Sequence, residues 1–339
     1  MSASLHAGAG ADSSDLVLRD FRQYDVLTVS DRAFMESLQP GDERLSHEGR
    51  VMEVLSEHNC HGWLEGYTLT GRHGLFATYE AFAMVSASQT VQHSRWLEES
   101  LLLPWRAAVP SLNVLLTSTA WRNDHNGFSH QGPGVIQVML IHRAEVTRIY
   151  LPPDANCLLS VADHCFRSRD YVNLIVIDNQ PQLQYLGIED VAAHCAAGAG
   201  IWEWAGHEDG AGAPDIVLAC AGNTPTLETV AAAQILRERL PELRTRVVSV
   251  VDLVVLPRPT DHPHGLPVDE FTRLFTDAVD VVFAFHGFPE AVHQLVHGRP
   301  DADELRRWCF DELARHAAYV REHMEDLPEI REWRVDAGR

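Results

Sequence analysis

Four short apolar runs limit what this chain can fold into. Val172-Asn173-Leu174-Ile175-Val176-Ile177 and residues 215–221, 247–251 and 281–285 are rich in β-branched side chains. Each is too short for a helix and too continuously apolar for a half-exposed strand. Each therefore reads as a strand buried on both faces. Helical patterns lie between and before them, over residues 154–168 with Asp154 as N-cap, 188–197 and 227–240. Upstream, 51–69 and 79–101 read as helices, broken by Gly71 to Gly74, and 113–118 and 145–150 as strands. Strands alternating with helices predict an α/β fold with mainly parallel sheets.

A chain of 339 residues has room for about two domains. The glycine- and charge-rich stretch 206–213 reads as the linker between them. The expected division is a disordered or irregular segment 1–48, an α/β domain 49–205 and a second α/β domain 206–339. Residues 1–14, rich in Ala, Gly and Ser, are expected to lack structure, and a final helix is expected over 302–325.

Composition excludes several function classes. A net charge of −21 argues against a nucleic-acid partner, because phosphate backbones need a basic footprint. A phosphorylated ligand would have to meet a local basic cluster. No apolar run is long enough to span a bilayer and no signal core is visible, so no membrane partner is expected and the expected location is cytoplasmic. Six cysteines without CxxC spacing read as reduced and mostly buried. His262-Pro263-His264, beside Asp261, has the look of a metal site but reads better as structural, so no metal ligand is expected.

The densest polar stretch is Trp121-Arg122-Asn123-Asp124-His125-Asn126-Gly127-Phe128-Ser129-His130-Gln131, which follows the strand at 113–118. Polar groups gathered at the end of a buried strand are what an active-site loop looks like.

Longer strings point to a family. Gly49-Arg50-Val51-Met52-Glu53-Val54-Leu55-Ser56-Glu57-His58-Asn59-Cys60-His61-Gly62-Trp63-Leu64-Glu65-Gly66-Tyr67, then Gly71-Arg72-His73-Gly74 and Tyr79-Glu80-Ala81-Phe82, resemble the phosphoketolases. These are thiamine-diphosphate enzymes that split ketose phosphates with inorganic phosphate. The likeness continues through Tyr150-Leu151-Pro152-Pro153-Asp154, Gly200-Ile201-Trp202-Glu203-Trp204, His262-Pro263-His264-Gly265 and Phe283-Ala284-Phe285-His286-Gly287. The resemblance implies two transketolase-like domains, a pyrimidine-binding domain and a C-terminal domain. It also implies that the family's front half is not here. The Gly-Asp-Gly motif and downstream Asn that hold Mg²⁺ do not occur. A separate N-terminal phosphoketolase subunit is then an expected partner, and a homo-oligomer the expected state. Two segments are shorter than in the family, between Tyr24 and Gly49 and between Arg299 and Leu305.

The resemblance assigns roles. Glu57 occupies the place of the glutamate that hydrogen-bonds the cofactor's pyrimidine N1′, and so is the candidate catalytic acid. Tyr79 and Phe76 are candidates to pack against the pyrimidine, although core packing accounts for Phe76 equally well. His130 is the candidate catalytic histidine, with His125 and Asn126 binding the sugar. Arg72 and Arg106 are candidate phosphate ligands, and equally good surface arginines. Asn179 stands where the family usually has a lysine, which removes a charge-assisted bond worth roughly 1.5–3 kcal/mol. Two functions compete on these grounds. One is a phosphoketolase C-terminal subunit acting on xylulose 5-phosphate or fructose 6-phosphate. The other is a catalytically inactive homologue serving as an interaction or regulatory protein.

Overall fold

The computed structural model describes residues 56–117, 119, 132–141, 145–178, 180–208, 213–277 and 279–299, with the backbone alone of four further strands. Two five-stranded sheets organise the chain, joined by one apolar core.

The first sheet has the order β1-β4-β5-β7-β6, all parallel. Its strands are β1 (Ala3–His6), β4 (Gly74–Thr78), β5 (Leu112–Leu116), β6 (Thr147–Tyr150) and β7 (Val172–Val176). Its helices are α1 (Glu57–Leu69), α2 (Glu80–Leu101), α3 (Gly134–Leu140), α4 (Ala155–Arg167) and α5 (Ile188–Ala197). A separate parallel pair joins β2 (Val26–Thr28) to β3 (Val51–Glu53). The expected disorder over 1–14 therefore fails at β1, since pairing at an open sheet edge is made by backbone and asks little of the side chains. The helix expected from residue 51 begins only at Glu57, where Ser56 caps it by accepting from Asn59 N at 3.3 Å.

Buried amides hold the register of the first sheet. Asn113 and Asn173 face each other on β5 and β7, both essentially without exposure. Asn173 Nδ2 donates to Asn113 Oδ1 at 2.7 Å and to Ser168 Oγ at 2.9 Å, and Asn113 Nδ2 donates to Gly74 O at 3.0 Å. A slip of one residue would leave these groups unpaired, at about 1–3 kcal/mol each.

The second sheet has the order β12-β11-β9-β10-β8, parallel except for the edge strand β8. Its strands are β8 (Ala199–Ile201), β9 (Ile216–Ala221), β10 (Thr245–Val250), β11 (Val281–Phe285) and β12 (Leu305–Trp308). Helices α6 (Asn223–Arg239), α7 (Val268–Phe275) and α8 (Pro289–Val296) pack with them. β8 belongs to this sheet, so the change of sheet falls before 199 rather than at the glycine-rich 206–213. Gly198 makes the change possible. It ends α5 at φ +75°, where an added Cβ would meet Val255 Cγ1 at 2.5 Å. Helix α6 starts earlier than its apolar pattern suggested, because Pro225 is tolerated in a first turn. At 305–308, where a helix was expected, the backbone pairs with β11 instead.

The sheets meet through Leu151 N, which donates to Val251 O at 2.7 Å, and through Gln294 Nε2 to Leu140 O at 3.0 Å. Arg148, buried, lies 4.2 Å from the Tyr171 ring and touches His264.

Candidate active site

Parallel β/α units place their chemistry at the carboxyl ends of the strands. In the first sheet those ends are His6, Thr78, Leu116, Tyr150 and Val176. Helix α1 packs against β4 and runs opposite to it, so its first residue, Glu57, lies at the carboxyl edge. Tyr79 is the residue after β4 and the N-cap of α2. Glu57 and Tyr79 thus share one edge, and both are half-buried. The Tyr79 ring stacks on Phe82, one turn into α2, with centroids 6.1 Å apart and planes at 21°. Phe82 was not singled out from the sequence.

The segment containing His125, Asn126 and His130 lies outside the described residues, as does Asn179. Its entry is described. Thr117 N donates to Thr78 O at 2.9 Å, so the chain leaves the sheet beside Tyr79. The chain leaving β7 does so at the same edge, where Ile177 N donates to Leu116 O at 2.9 Å and Gln180 N to Asp178 Oδ1 at 2.7 Å.

Three sequence candidates lie away from this pair. Phe76 has no exposed surface and meets His61 edge-on at 5.3 Å, so it is core and offers no face to a cofactor here. Arg72 precedes β4 and covers the Tyr67 ring at 5.6 Å. Arg106 follows α2 and covers Trp96 at 4.7 Å. Both sit toward the amino edge of the sheet, Arg72 about 16 Å, a five-residue strand, from Tyr79 and Arg106 beyond the far end of the 22-residue α2. Nothing in the described residues brings either arginine to Glu57.

Behind Phe76 lies a buried polar group. Glu65 Oε1 approaches His61 Nε2 at 3.3 Å and His93 Nδ1 at 3.9 Å. Burial drives His93 down to about 4 against the pull of Glu65, so it is neutral near pH 7. A second pair spans the domains. His286, one residue past β11, reaches Glu80 Oε1 with Nε2 at 2.9 Å, and both are buried. Glu80 follows Tyr79, so the second domain grips α2 at its first turn. Both residues stood in the family-like strings, but a separation of 206 positions carries no periodic signal. A cleft of about 690 Å³ between the domains, lined by Met139, Thr147, Val254, Pro257, His262 and Gln294, opens at the amino edge, where β6 begins. It is not part of this site.

Thiamine diphosphate fits these residues in part. A half-buried carboxyl on the first turn of a helix and a stacked aromatic pair suit an aminopyrimidine ring. Among the described residues no His, Cys, Asp and Glu cluster could hold a metal, so none of them fits the diphosphate's cation.

Comparison with known proteins agrees with this layout. The family model for D-xylulose 5-phosphate/D-fructose 6-phosphate phosphoketolase matches residues 18–168, and that for the XFP C-terminal domain matches 179–313. A probable phosphoketolase of Rhodopseudomonas palustris (strain HaA2) is 48% identical over 360 residues, covering 92% of this chain and 45% of the relative. One from Mycobacterium avium (strain 104) is 55% identical over 288 residues, covering 85% and 36%. The chain therefore spans less than half the length of the relatives it matches. Among solved structures, transketolase from Leishmania mexicana superposes with a TM-score of 0.59 at 16% identity, over 87% of this chain and 37% of that one. A split-gene transketolase, described as an inactive β4 tetramer, superposes with a TM-score of 0.53 at 14% identity, over 90% of both chains. The structural matches carry the transketolase-like α/β fold, and the sequence matches carry the relationship: the chain belongs to the phosphoketolase family.

Proposed function

We propose that these residues form the pyrimidine-binding and C-terminal domains of a working phosphoketolase, completed by a diphosphate-binding domain that is not among them. The reaction is cleavage of xylulose 5-phosphate or fructose 6-phosphate by inorganic phosphate to acetyl phosphate and an aldose phosphate. The observation that carries the reading is the convergence of Glu57, Tyr79 and the entry to the histidine loop on one sheet edge.

Thiamine diphosphate, when bound, supplies the nucleophilic carbon for carbon–carbon cleavage. Glu57 hydrogen-bonds the pyrimidine N1′ and shares a proton with it. Tyr79, backed by Phe82, holds the ring in place. His130 moves protons at the sugar, and His125 and Asn126 bind its hydroxyls. The neutral Asn179 weakens phosphate binding by about ten-fold or more relative to a lysine there. Mg²⁺ is held by the other domain, and the enzyme is cytoplasmic.

Self-association follows the same reading. Met84 and Val85 on α2 are 46% and 45% exposed, and Leu102 and Trp105 beyond its end are 67% and 75% exposed. Surface of this kind is what a two-fold dimer covers.

The test is reconstitution. The chain is mixed with the N-terminal domain of a full-length relative, thiamine diphosphate, Mg²⁺, fructose 6-phosphate and phosphate, and acetyl phosphate is measured. Production that needs both proteins is expected. A stable complex that makes no acetyl phosphate would favour the inactive, regulatory homologue.

A further inference from the structure

The cleft between the domains has the build of a binding site, and the reaction proposed above does not use it. Its volume of about 690 Å³ falls among small-molecule sites, which run from roughly 300 to 1,000 Å³. Met139 and Thr147 come from the first domain, and Val254, His262 and Leu295 from the second. The wall given by the second domain is pre-formed. Pro257, Pro259 and Pro263 lie in it, and each fixes its own backbone φ. Arg299, buried and outside the lining, holds the same segment by its carbonyls. Its Nε donates to Leu256 O at 2.8 Å and its Nη2 to Leu266 O at 2.7 Å and to Pro257 O, while the guanidinium covers the Phe271 ring at 4.2 Å.

Two buried polar atoms in the lining have no partner. Thr147 and His262 are 3% and 6% exposed, and neither Thr147 Oγ1 nor His262 Nε2 makes a hydrogen bond. His264 N donates to His262 Nδ1 at 3.1 Å, so the ring proton sits on Nε2. The Thr147 carbonyl lies near the ring but outside hydrogen-bonding geometry. Burial, then the Arg148 charge, push this histidine down to about 4, so it is neutral near pH 7. A buried polar group left unsatisfied costs about 1–3 kcal/mol, which a ligand that pairs with it recovers. The charge around the cleft is one-sided. Glu145 and Asp261 line it, and no lysine or arginine does. An anion entering here would meet carboxylates.

We propose that this cleft binds a small uncharged molecule with an apolar body and a carboxamide end. The carbonyl accepts from His262 Nε2, and the amide N–H donates to Thr147 Oγ1. The apolar body lies against Met139, Val254 and the prolines. Phosphorylated sugars, inorganic phosphate and other anions are rejected by the same lining. The occupant touches both domains where Gln294 Nε2 bonds Leu140 O at 3.0 Å, and so ties one to the other. The His-Pro-His string thereby gains a use that needs no metal: His264 touches Arg148, and His262 serves the cleft.

The experiment titrates the intact folded chain with benzamide and with benzoate, following binding by calorimetry and by Tm. Benzamide is expected to bind at millimolar concentration or below and to raise Tm. Benzoate, the same ring with a charge in place of the amide, should bind at least about ten-fold more weakly. Thr147→Val removes the hydroxyl at nearly constant shape and should weaken benzamide several-fold, whereas Thr147→Ser should retain it. Ile141 lines the cleft with a side chain 71% exposed, so Ile141→Trp crowds the mouth without touching the core and should abolish binding. No binding of benzamide at millimolar concentration, benzoate binding as tightly, or binding unchanged in both Thr147→Val and Ile141→Trp would each overturn the proposal. The unaltered chain and Ile141→Trp decide the matter even where Thr147→Val fails to fold, and no readout requires phosphoketolase activity.

Discussion

The two edges of the first sheet both hold residues that the sequence offers as site candidates, and they have opposite prospects. At the carboxyl edge, Glu57, Tyr79, Asp154 and the stem of the histidine loop converge from four connections. At the amino edge, Arg72 and Arg106 are each spread over a neighbouring aromatic ring. From the sequence both arginines read equally well as phosphate ligands and as surface arginines, with Arg72 only seven positions from Tyr79. In a parallel β/α unit seven positions can mean a whole strand, so nearness along the chain says little about sharing a site. What matters is which side of a strand a residue falls on.

The contrast can be broken most forcefully at Glu57. In a reconstituted enzyme Glu57→Gln should lower kcat by roughly two orders of magnitude or more, since an amide cannot share a proton with N1′. Survival of more than about a tenth of the rate, a cost of only ~1.4 kcal/mol, would remove Glu57 from its assigned role.

The next effect is on stability. His286→Ala removes the 2.9 Å contact to the buried Glu80 carboxyl and should cost about 1 kcal/mol in chemical unfolding of the chain. A change too small to measure would mean that the second domain does not brace α2.

Asp154→Asn should cost about 1 kcal/mol, and the loss should depend on pH. Burial pushes this carboxyl up, but the N–H groups of Cys157, Leu186 and Tyr185 outweigh it and hold it below the ordinary 3.8. A depressed acid stabilises the fold above its unfolded value and loses that contribution as pH falls through its folded value. The gap between native chain and variant should be constant above about pH 5 and narrow below 3.8. A gap that widens in acid would contradict the capping account.

The smallest effect is expected at the amino edge. Arg72→Ala and Arg106→Ala should each cost no more than about 1 kcal/mol in stability, the value of an exposed cation–π contact. KM for phosphate and for the ketose should stay within about two-fold, under 0.5 kcal/mol. A ten-fold rise in either KM would return the arginines to the site and erase the difference between the edges.

The sequence by itself determined the α/β class, the runs that became β5, β6, β7, β9, β10 and β11, and the caps of helices such as α4 at Asp154. These depend on hydrophobic period and on local hydrogen bonds, which neighbours in the chain supply. The family-like strings also marked Glu57 and Tyr79 before any geometry was known. Only the tertiary structure decided the rest. It put β8 on the second sheet, sealed Phe76 in the core, sent the two arginines to the far edge and joined Glu80 to His286. It also brought Thr147 and His262, from different domains, into one cleft. Each of these outcomes rests on contacts between segments distant in sequence. Such contacts form only when helices and strands pack face to face, and local pattern holds no record of which faces meet.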